Sequence, residues 1–190
     1  RDFCLSRGLG DVYKRQSCTM TTTQEAVFVP GVWGPYYSAM VPGYWLSEGG
    51  QSAAGAAIDQ LLSFHPAAAE AREQAKAAGV PLPVWLADRV LTQVASPSEA
   101  VTLAAGLHVV PEFLGNRAPL ADPHAKALIA GLGMERDLDN LTALYVAGLC
   151  GIGYGLRQII DAQRACGIES ENIVISGGAG PVSYTHLRAH

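Results

Sequence analysis

The amino-acid sequence predicts an α/β fold with a mixed sheet. Three observations predict it: aromatic residues and valines separated by Pro-Gly turns over 25–48, apolar positions at helical spacing over 137–166, and a short apolar strand before a glycine turn at 177–180. Strands and helices follow one another between these segments, which is the layout of an α/β domain. The 190 residues, 49% hydrophobic and 16% charged, have the composition of a folded globular chain.

The first elements are indicated by turn residues and small residues. Aromatic and valine residues from Glu25 to Glu48 predict an antiparallel hairpin or meander around the Pro42-Gly43 turn. The following segment "EGGQSAAGAAIDQLLSF" predicts a helix from about Gln51, whose small residues permit close approach to its first turns. Residues 66–78 have high helix propensity and should end at a glycine stop.

Capping signals indicate the elements in the middle of the chain. "SPSEAVTLAAG" contains a complete capping box, with Ser96 as N-cap and Glu99 three residues later, so a helix is predicted here. A strand over 107–110 follows. Residues 122–131 begin with Asp-Pro and end with glycine, which predicts a short helix.

The longest predicted element is one helix over 137–166, with one face in the core. Glycine costs about 1 kcal/mol relative to alanine inside a helix, so four glycines here indicate a tight crossing of backbones. A strand over 172–176 and the glycine turn complete the order. The helix glycines are Gly148, Gly151, Gly153 and Gly155.

Charge and cysteine usage exclude several classes of protein. The net charge of −4, the pI of about 5.7 and the absence of Lys or Arg runs argue against a nucleic-acid partner. The four cysteines lack CxxC spacing, which favours a reducing cytoplasm. The longest apolar run, 143–156, is shorter than the roughly 20 residues of a membrane span, so no membrane association is expected. A homo-oligomer is one alternative, and the oligomeric state is left open.

Few residue patterns in the chain are typical of a chemical site. The run "GIGYGL" lacks the third glycine of a dinucleotide fingerprint, because Leu156 occupies its place. The histidines have no metal-ligand spacing, so no metal site is expected. Two glycine-bearing helix starts remain, at 48–55 and 177–180, where free amides and the helix dipole suit a nucleotide or another oxygen-rich ligand. Turns required only for packing are the alternative.

Three segments carry a resemblance to a known family. "FVPGVWGPYYSAMVPGYWLSEGGQSAAGAAID", "FLGNRAPLADPHAKALIAGLG" and "ENIVISGGAG" resemble the C-terminal domain of the FGGY carbohydrate kinases, in particular the ribulokinase-like pentulose kinases. The resemblance implies an actin-like, ribonuclease-H-like fold, here incomplete. It also implies that MgATP and the sugar meet in a cleft between two domains.

The same resemblance implies five nucleotide-binding residues. In "SAAGAAID", the glycine and the polar residue one turn later match the family's nucleotide-contacting pair, although an amide often replaces the carboxylate in the family. In "ISGGAG", the glycine pair and the next residue match the adenosine motif. These residues are Gly55, Asp59, Gly177, Gly178 and Ala179.

The resemblance leaves the role of one further motif open and places the general base in another domain. Asn116 and Arg117 of the family's "GNRAP" motif either serve the site or order their loop. The aspartate that acts as general base is expected in the N-terminal domain, so no catalytic residue is assigned to this chain.

The implied function is a cytoplasmic sugar kinase that uses ATP and Mg²⁺. It would transfer the γ-phosphoryl group to a hydroxyl of a ketopentose, with ribulose as the first candidate, and the fragment alone should be inactive. The alternative is an actin-like ATP-binding module without sugar kinase activity. A Rossmann-type enzyme is disfavoured by the failed fingerprint.

The two ends differ in character from the middle. "DVYKRQ" and "SYTHLRAH" resemble translated sequencing-adapter read-through, so residues 1–16 and 182–190 are expected to be non-native. Residues 17–181 then form a truncated C-terminal kinase domain. Without the five basic and two acidic residues of the two end segments, its net charge is −7.

Overall fold

The computed structural model describes residues 17–170 and 172–174. The glycine turn at 177–180 and both end segments lie outside these residues, as does the second half of the strand predicted over 172–176; residues 172–174 have no strand. The elements are β1 Ser17–Thr23, β2 Trp33–Tyr37, β3 Trp45–Gln51, α1 Gly55–Ser63, α2 Ala68–Ala77, α3 Leu82–Gln93, a 3₁₀ helix Pro97–Ala104, β4 His108–Val110, β5 Leu128–Ala130 and α4 Leu138–Ala165.

The chain divides into two compact units, each assembled from separate stretches of sequence. The first unit contains residues 17–57, 112–126 and 155–170. The second contains residues 58–111, 127–154 and 172–174.

The first unit contains a three-stranded antiparallel sheet in the order β1-β3-β2. The predicted hairpin is confirmed as β2 and β3, whereas β1 was not predicted from the sequence. Strand β2 lies at the edge, and its pairing with β3 is irregular between Trp33 and Tyr36, on either side of Pro35. Every strand pair among the described residues is antiparallel, so these residues do not include the parallel component of the predicted mixed sheet.

The core of the first unit lies between this sheet and the second half of α4. Gly49 of β3 faces the helix so closely that a Cβ atom there would lie 2.9 Å from Cγ2 of Ile159. One turn further along α4, the buried Gln163 accepts a hydrogen bond of 3.1 Å from the Thr21 hydroxyl of β1. The sheet and α4 thus form two packed layers. The buried apolar cluster consists of Val29, Val32, Ala118, Ile159 and Ile168.

The second unit is mainly helical. Helix α2 confirms the helix predicted over 66–78, while α3 was not predicted. The Tyr145 hydroxyl on α4 donates a 3.1 Å hydrogen bond to the Pro83 carbonyl at the start of α3. Strands β4 and β5 form a separate antiparallel pair, with His108 opposite Ala130, which confirms the strand predicted over 107–110. The largest fully buried side chains of the unit include Leu61, Leu62, Leu86, Leu141 and Leu144.

Two predicted helix starts are corrected by the structure. Helix α1 begins at Gly55 rather than near Gln51, because β3 continues to Gln51. The segment after Ser96 is a 3₁₀ helix without a side-chain cap. The Ser96 hydroxyl pairs with Ser98, and the Glu99 carboxylate accepts from the amide of Ala95 instead of closing a capping box.

The short helix predicted over 122–131 is wrong. The Asp122 carboxylate accepts a hydrogen bond from the His124 amide, as at a helix start, but only a turn forms. The Asp122 carbonyl accepts from the amide of Asn116, which ties the backbone into the preceding loop. Strand β5 then occupies 128–130, where the end of the helix was predicted.

Helix α4 confirms the long predicted helix, and three of its four glycines lie at tight contacts. At Gly148, an added Cβ atom would lie 2.5 Å from the Leu61 side chain. At Gly151 it would overlap the carbonyl of Val109, and at Gly155 the side-chain amide of Gln51. At Gly153, an added Cβ atom would have no heavy atom within 4 Å, so close packing does not explain a glycine at this position of the helix.

The length and apolar character of α4 would also fit a membrane-crossing helix, and no other described helix meets that test. Core helices of soluble proteins meet it too. Leu141, Leu144 and Tyr145 in the second unit and Ile159 in the first are buried, so these residues of α4 belong to the cores of the two units.

Candidate functional site

Gly55 is the first residue of α1 and is exposed. An added Cβ atom would meet no heavy atom within 4 Å, so the space beside this helix start is open. The first turn of α1 contains no acidic side chain. Free amides and the positive end of the helix dipole therefore make this end of α1 suitable for an anionic ligand.

Asp59 lies one turn further along α1, on the same side of the helix as Gly55. Its side chain is exposed, and no described residue forms a hydrogen bond or ion pair with its carboxylate. A carboxylate can accept hydrogen bonds from hydroxyl or amino groups, but it repels phosphate. This position therefore suits the nucleoside part of a nucleotide.

The other predicted glycines of this region are not part of a helix start. Gly49 and Gly50 lie within β3, opposite Thr19 and Cys18 of β1. An added Cβ atom at Gly50 would overlap the Ser17 carbonyl, so a larger residue would force the two strands apart. Packing explains these two glycines, and the predicted helix start over 48–55 reduces to Gly55.

A partly buried polar pair lies at the end of the sheet nearest to α1. Ser17 and Gln51 are directly opposite each other, and the Ser17 hydroxyl donates a 3.0 Å hydrogen bond to Oε1 of Gln51. Gln51 is only 7% exposed. Sequence reasoning missed this pair, because it placed Gln51 at a helix start and left Ser17 outside every element. Only the register of β1 against β3 brings the two together.

The "GNRAP" loop is ordered by its own side chains. Asn116 is buried; its Nδ2 donates to Glu112 at 2.8 Å and its Oδ1 accepts from the Leu120 amide at 3.0 Å. Burial raises the pKa of the Glu112 carboxyl, and the Asn116 hydrogen bond offsets part of that rise. The arrangement gives Asn116 a loop-ordering role.

Arg117 has structural partners as well. Its Nη2 donates to the Glu48 carboxylate at 3.0 Å, and its guanidinium lies over the ring of Trp33. These contacts join the loop to β2 and β3. Of the two readings of this motif, the geometry favours loop ordering.

The three histidines of the described residues are not gathered into a metal site. His65 is buried, its Nδ1 accepts from the Ala67 amide, and its Nε2 lies 3.1 Å from Oδ1 of Asn140. Among residues 17–170 and 172–174, no group of three or more His, Cys, Asp or Glu side chains could hold a metal ion. Gly177, Gly178 and Ala179 lie outside the described residues.

Comparison with known proteins identifies the class of this chain. Residues 16–184 match the FGGY family of carbohydrate kinases, C-terminal domain. The chain belongs to this family.

Individual relatives agree with this assignment. The chain is 43% identical over 162 residues to an FGGY carbohydrate kinase domain-containing protein of Xenopus laevis, covering 85% of this chain and 29% of the relative. It is 34% identical over 172 residues to a D-ribulokinase of Saccharomyces cerevisiae, covering 90% of this chain and 24% of the relative. The chain therefore spans less than a third of the length of these relatives.

A solved structure supports the fold class. The xylulose kinase of Bifidobacterium adolescentis superposes with a TM-score of 0.61 at 19% identity, over 89% of this chain and 28% of that protein. The fold is that of the actin-like ATPase domain of sugar kinases, present here in part, as the sequence predicts.

Proposed function

We propose that the protein to which this chain belongs is a cytoplasmic, ATP-dependent carbohydrate kinase, and that residues 17–181 form its nucleotide-side domain. The observation that carries the proposal is the family match over residues 16–184. The start of α1 supports the proposal, because the space beside Gly55 is open and the first turn has no acidic side chain. A nucleotide phosphate could therefore reach the backbone amides without obstruction or repulsion.

The proposed acceptor is a ketopentose, with ribulose as the first candidate. The relative named D-ribulokinase, at 34% identity, supports ribulose. The similarity to a xylulose kinase structure, at 19% identity, bears on the fold and leaves the choice among pentuloses to experiment.

In this proposal, five residues contact the nucleotide. Amides at Gly55 face the phosphates, Asp59 accepts from the nucleoside, and residues 177–179 lie beside adenine and ribose. Mg²⁺, when bound with the nucleotide, would be held by its phosphates and would supply neutralisation of their charge. An aspartate from the rest of the protein takes the proton of the attacking sugar hydroxyl, while the γ-phosphoryl group transfers in line.

The test is ADP release by the full-length protein with ribulose, xylulose and glycerol. Turnover that depends on a pentulose supports the proposal, with the highest kcat/KM on ribulose. Tight ATP binding without turnover on any of these sugars would favour an ATP-binding module instead.

Two substitutions test the assigned nucleotide residues. Gly55→Leu and Gly178→Leu should each raise the KM for ATP, because a bulky side chain blocks the approach of the nucleotide. Gly153→Leu is the matched control, since an added Cβ there also meets open space but lies far along α4. An unchanged KM for ATP in Gly55→Leu would remove α1 from the site.

A further inference from the structure

We propose that Gln51 is a positioning residue of the nucleotide site. Its buried amide holds β1 against the end of β3 and thereby sets the direction in which the chain enters α1. The inference rests on the proposed function, since the helix start that Gln51 orients is the one assigned to the phosphates.

A hydrogen bond between β1 and β3 holds the Gln51 side chain. Ser17 and Gln51 form the pair of the β1–β3 ladder nearest to α1, and the Ser17 hydroxyl donates to Oε1 at 3.0 Å. Gly50, beside this pair, lets the Ser17 carbonyl approach more closely than a Cβ atom would allow. Because burying an unpaired amide costs free energy, the Ser17 bond also compensates for the burial of Gln51.

Helix α4 leaves space for the Gln51 amide. A Cβ atom at Gly155 would overlap Nε2 of Gln51. Glycine is less favourable than alanine inside a helix, and here it leaves the room that the Gln51 amide occupies. Gly153, two residues earlier, has no such neighbour. The Gln51 side chain is therefore held from two sides, by the Ser17 hydroxyl and by the surface of α4.

The connection from Gln51 to α1 is short. Only Ser52, Ala53 and Ala54 separate Gln51 from Gly55, and Ala53 is buried. The amide of Ala57 already donates to the Ala54 carbonyl, so the turn continues directly into α1. A connection this short transmits a shift of Gln51 to the first amides of the helix.

A purely structural brace predicts something different. It would lower the melting temperature when removed and leave the affinity of the folded protein for nucleotide unchanged. A positioning residue changes nucleotide affinity in the folded protein. The two roles are therefore separated by comparing the KM for ATP with kcat and with the melting temperature.

The experiment uses the full-length protein with Gln51→Met, Ser17→Ala and Gly155→Ala. For each, we expect the KM for ATP and the Kd for MgADP, measured by calorimetry, to rise about three- to tenfold, the effect of one hydrogen bond. The kcat and the KM for the sugar should stay unchanged. Ser17→Ala combined with Gln51→Met should equal the larger single effect, because both remove the same bond.

Two matched controls use the same strand and the same helix. Thr21→Ala removes a similar hydroxyl-to-glutamine bond of β1, and Gly153→Ala adds a methyl group to α4 in open space. Neither should change the KM for ATP, whatever happens to the melting temperature. If Gln51→Met fails to fold, Ser17→Ala and Gly155→Ala decide, since an added methyl group displaces only the flexible end of Gln51.

The other outcomes overturn one proposal or both. Equal nucleotide affinity in wild type and in all three variants contradicts the role of Gln51, as does a rise of the same size in Thr21→Ala. A wild-type protein that binds MgADP but phosphorylates no pentulose overturns the kinase proposal alone, and the MgADP series still tests Gln51. A wild-type protein that does not bind MgADP overturns both.

Discussion

The guanidinium carbon of Arg117 lies 4.3 Å from the centre of the Trp33 ring, so a charged group of the "GNRAP" loop stacks on the edge strand β2. The same guanidinium pairs with Glu48 on β3, and both partners of this ion pair are largely covered. Arginine can form both contacts at once because its planar group stacks and donates in different directions.

Replacing Arg117 should therefore destabilise the first unit. We expect Arg117→Ala to lower the free energy of unfolding by about 1–2 kcal/mol, from the lost stacking and the Glu48 carboxylate left without its partner. Arg117→Lys keeps the charge and should recover only part of this loss. Urea titration of the full-length protein measures both, with the exposed Arg72→Ala as control. Equal stability of the Lys variant and wild type would contradict a role for stacking.

Two glycines of α4 should respond in opposite ways to alanine. Gly151→Ala places a Cβ atom against the Val109 carbonyl, and because backbone cannot move aside cheaply we expect a loss of about 1–3 kcal/mol. Gly153→Ala meets open space and should gain about 0.5–1 kcal/mol from helix propensity. Melting temperatures of the two variants provide the measurement, and a loss of stability in both would refute the difference in packing.

The stability of the protein should depend on the charge of Glu112. Its pKa in the folded state is raised above the ordinary 4.5, mainly by burial. At a pH below the ordinary pKa, the carboxyl is protonated in the folded and the unfolded state, so its burial does not take a charge out of water. As the pH rises through the folded pKa, the buried carboxyl ionises and the stability of the folded state is lost. Glu112→Gln keeps an acceptor for Asn116 and should be more stable than wild type at pH 7 but not at pH 4. The unfolding free energies of wild type, Glu112→Gln and the exposed control Glu73→Gln are to be measured from pH 4 to pH 7. A stability difference between Glu112→Gln and wild type that stays the same over this range would contradict the prediction.

The described cysteines should differ in reactivity. Cys18 is exposed, whereas burial raises the pKa of the Cys150 thiol and so lowers its thiolate fraction at neutral pH. Iodoacetamide at pH 7.5 should therefore alkylate Cys18 before Cys150 in the native protein, as followed by peptide mass spectrometry. In denatured protein the two rates should become similar. Faster labelling of Cys150 in the native state would contradict the burial of its thiol.

The elements predicted correctly are those with strong local signals. The hairpin has Pro-Gly and aromatic residues, and α4 has helical periodicity from Leu138 onward. Helix α3 was missed because Pro81 and Pro83 look like breakers, although proline is tolerated at a helix start. Strand β1 was missed because its threonines do not alternate with apolar residues. It forms a strand because it pairs with β3 along its whole length.

The wrongly predicted helix over 122–131 shows a different limit. Asp122 and Pro123 are a valid local start signal, yet the hydrogen bond from the Asn116 amide to the Asp122 carbonyl, which folds the segment back onto the preceding loop, outweighs it. In the candidate site, too, local motifs could be predicted and contacts between segments could not. Gly55 was assigned from a motif, whereas the Ser17–Gln51 pair depends on strand register, which the sequence does not reveal.

The proline of β2 determines where the sheet can grow. Pro35 has no amide hydrogen to donate, and the pairing of β2 with β3 is irregular around it. An incoming strand would find no continuous row of donors there, even though Trp33, Tyr36 and Tyr37 leave aromatic surface exposed on the same strand. The sheet is thus closed to extension on one side, and any strand that widens it must join at β1, next to Ser17.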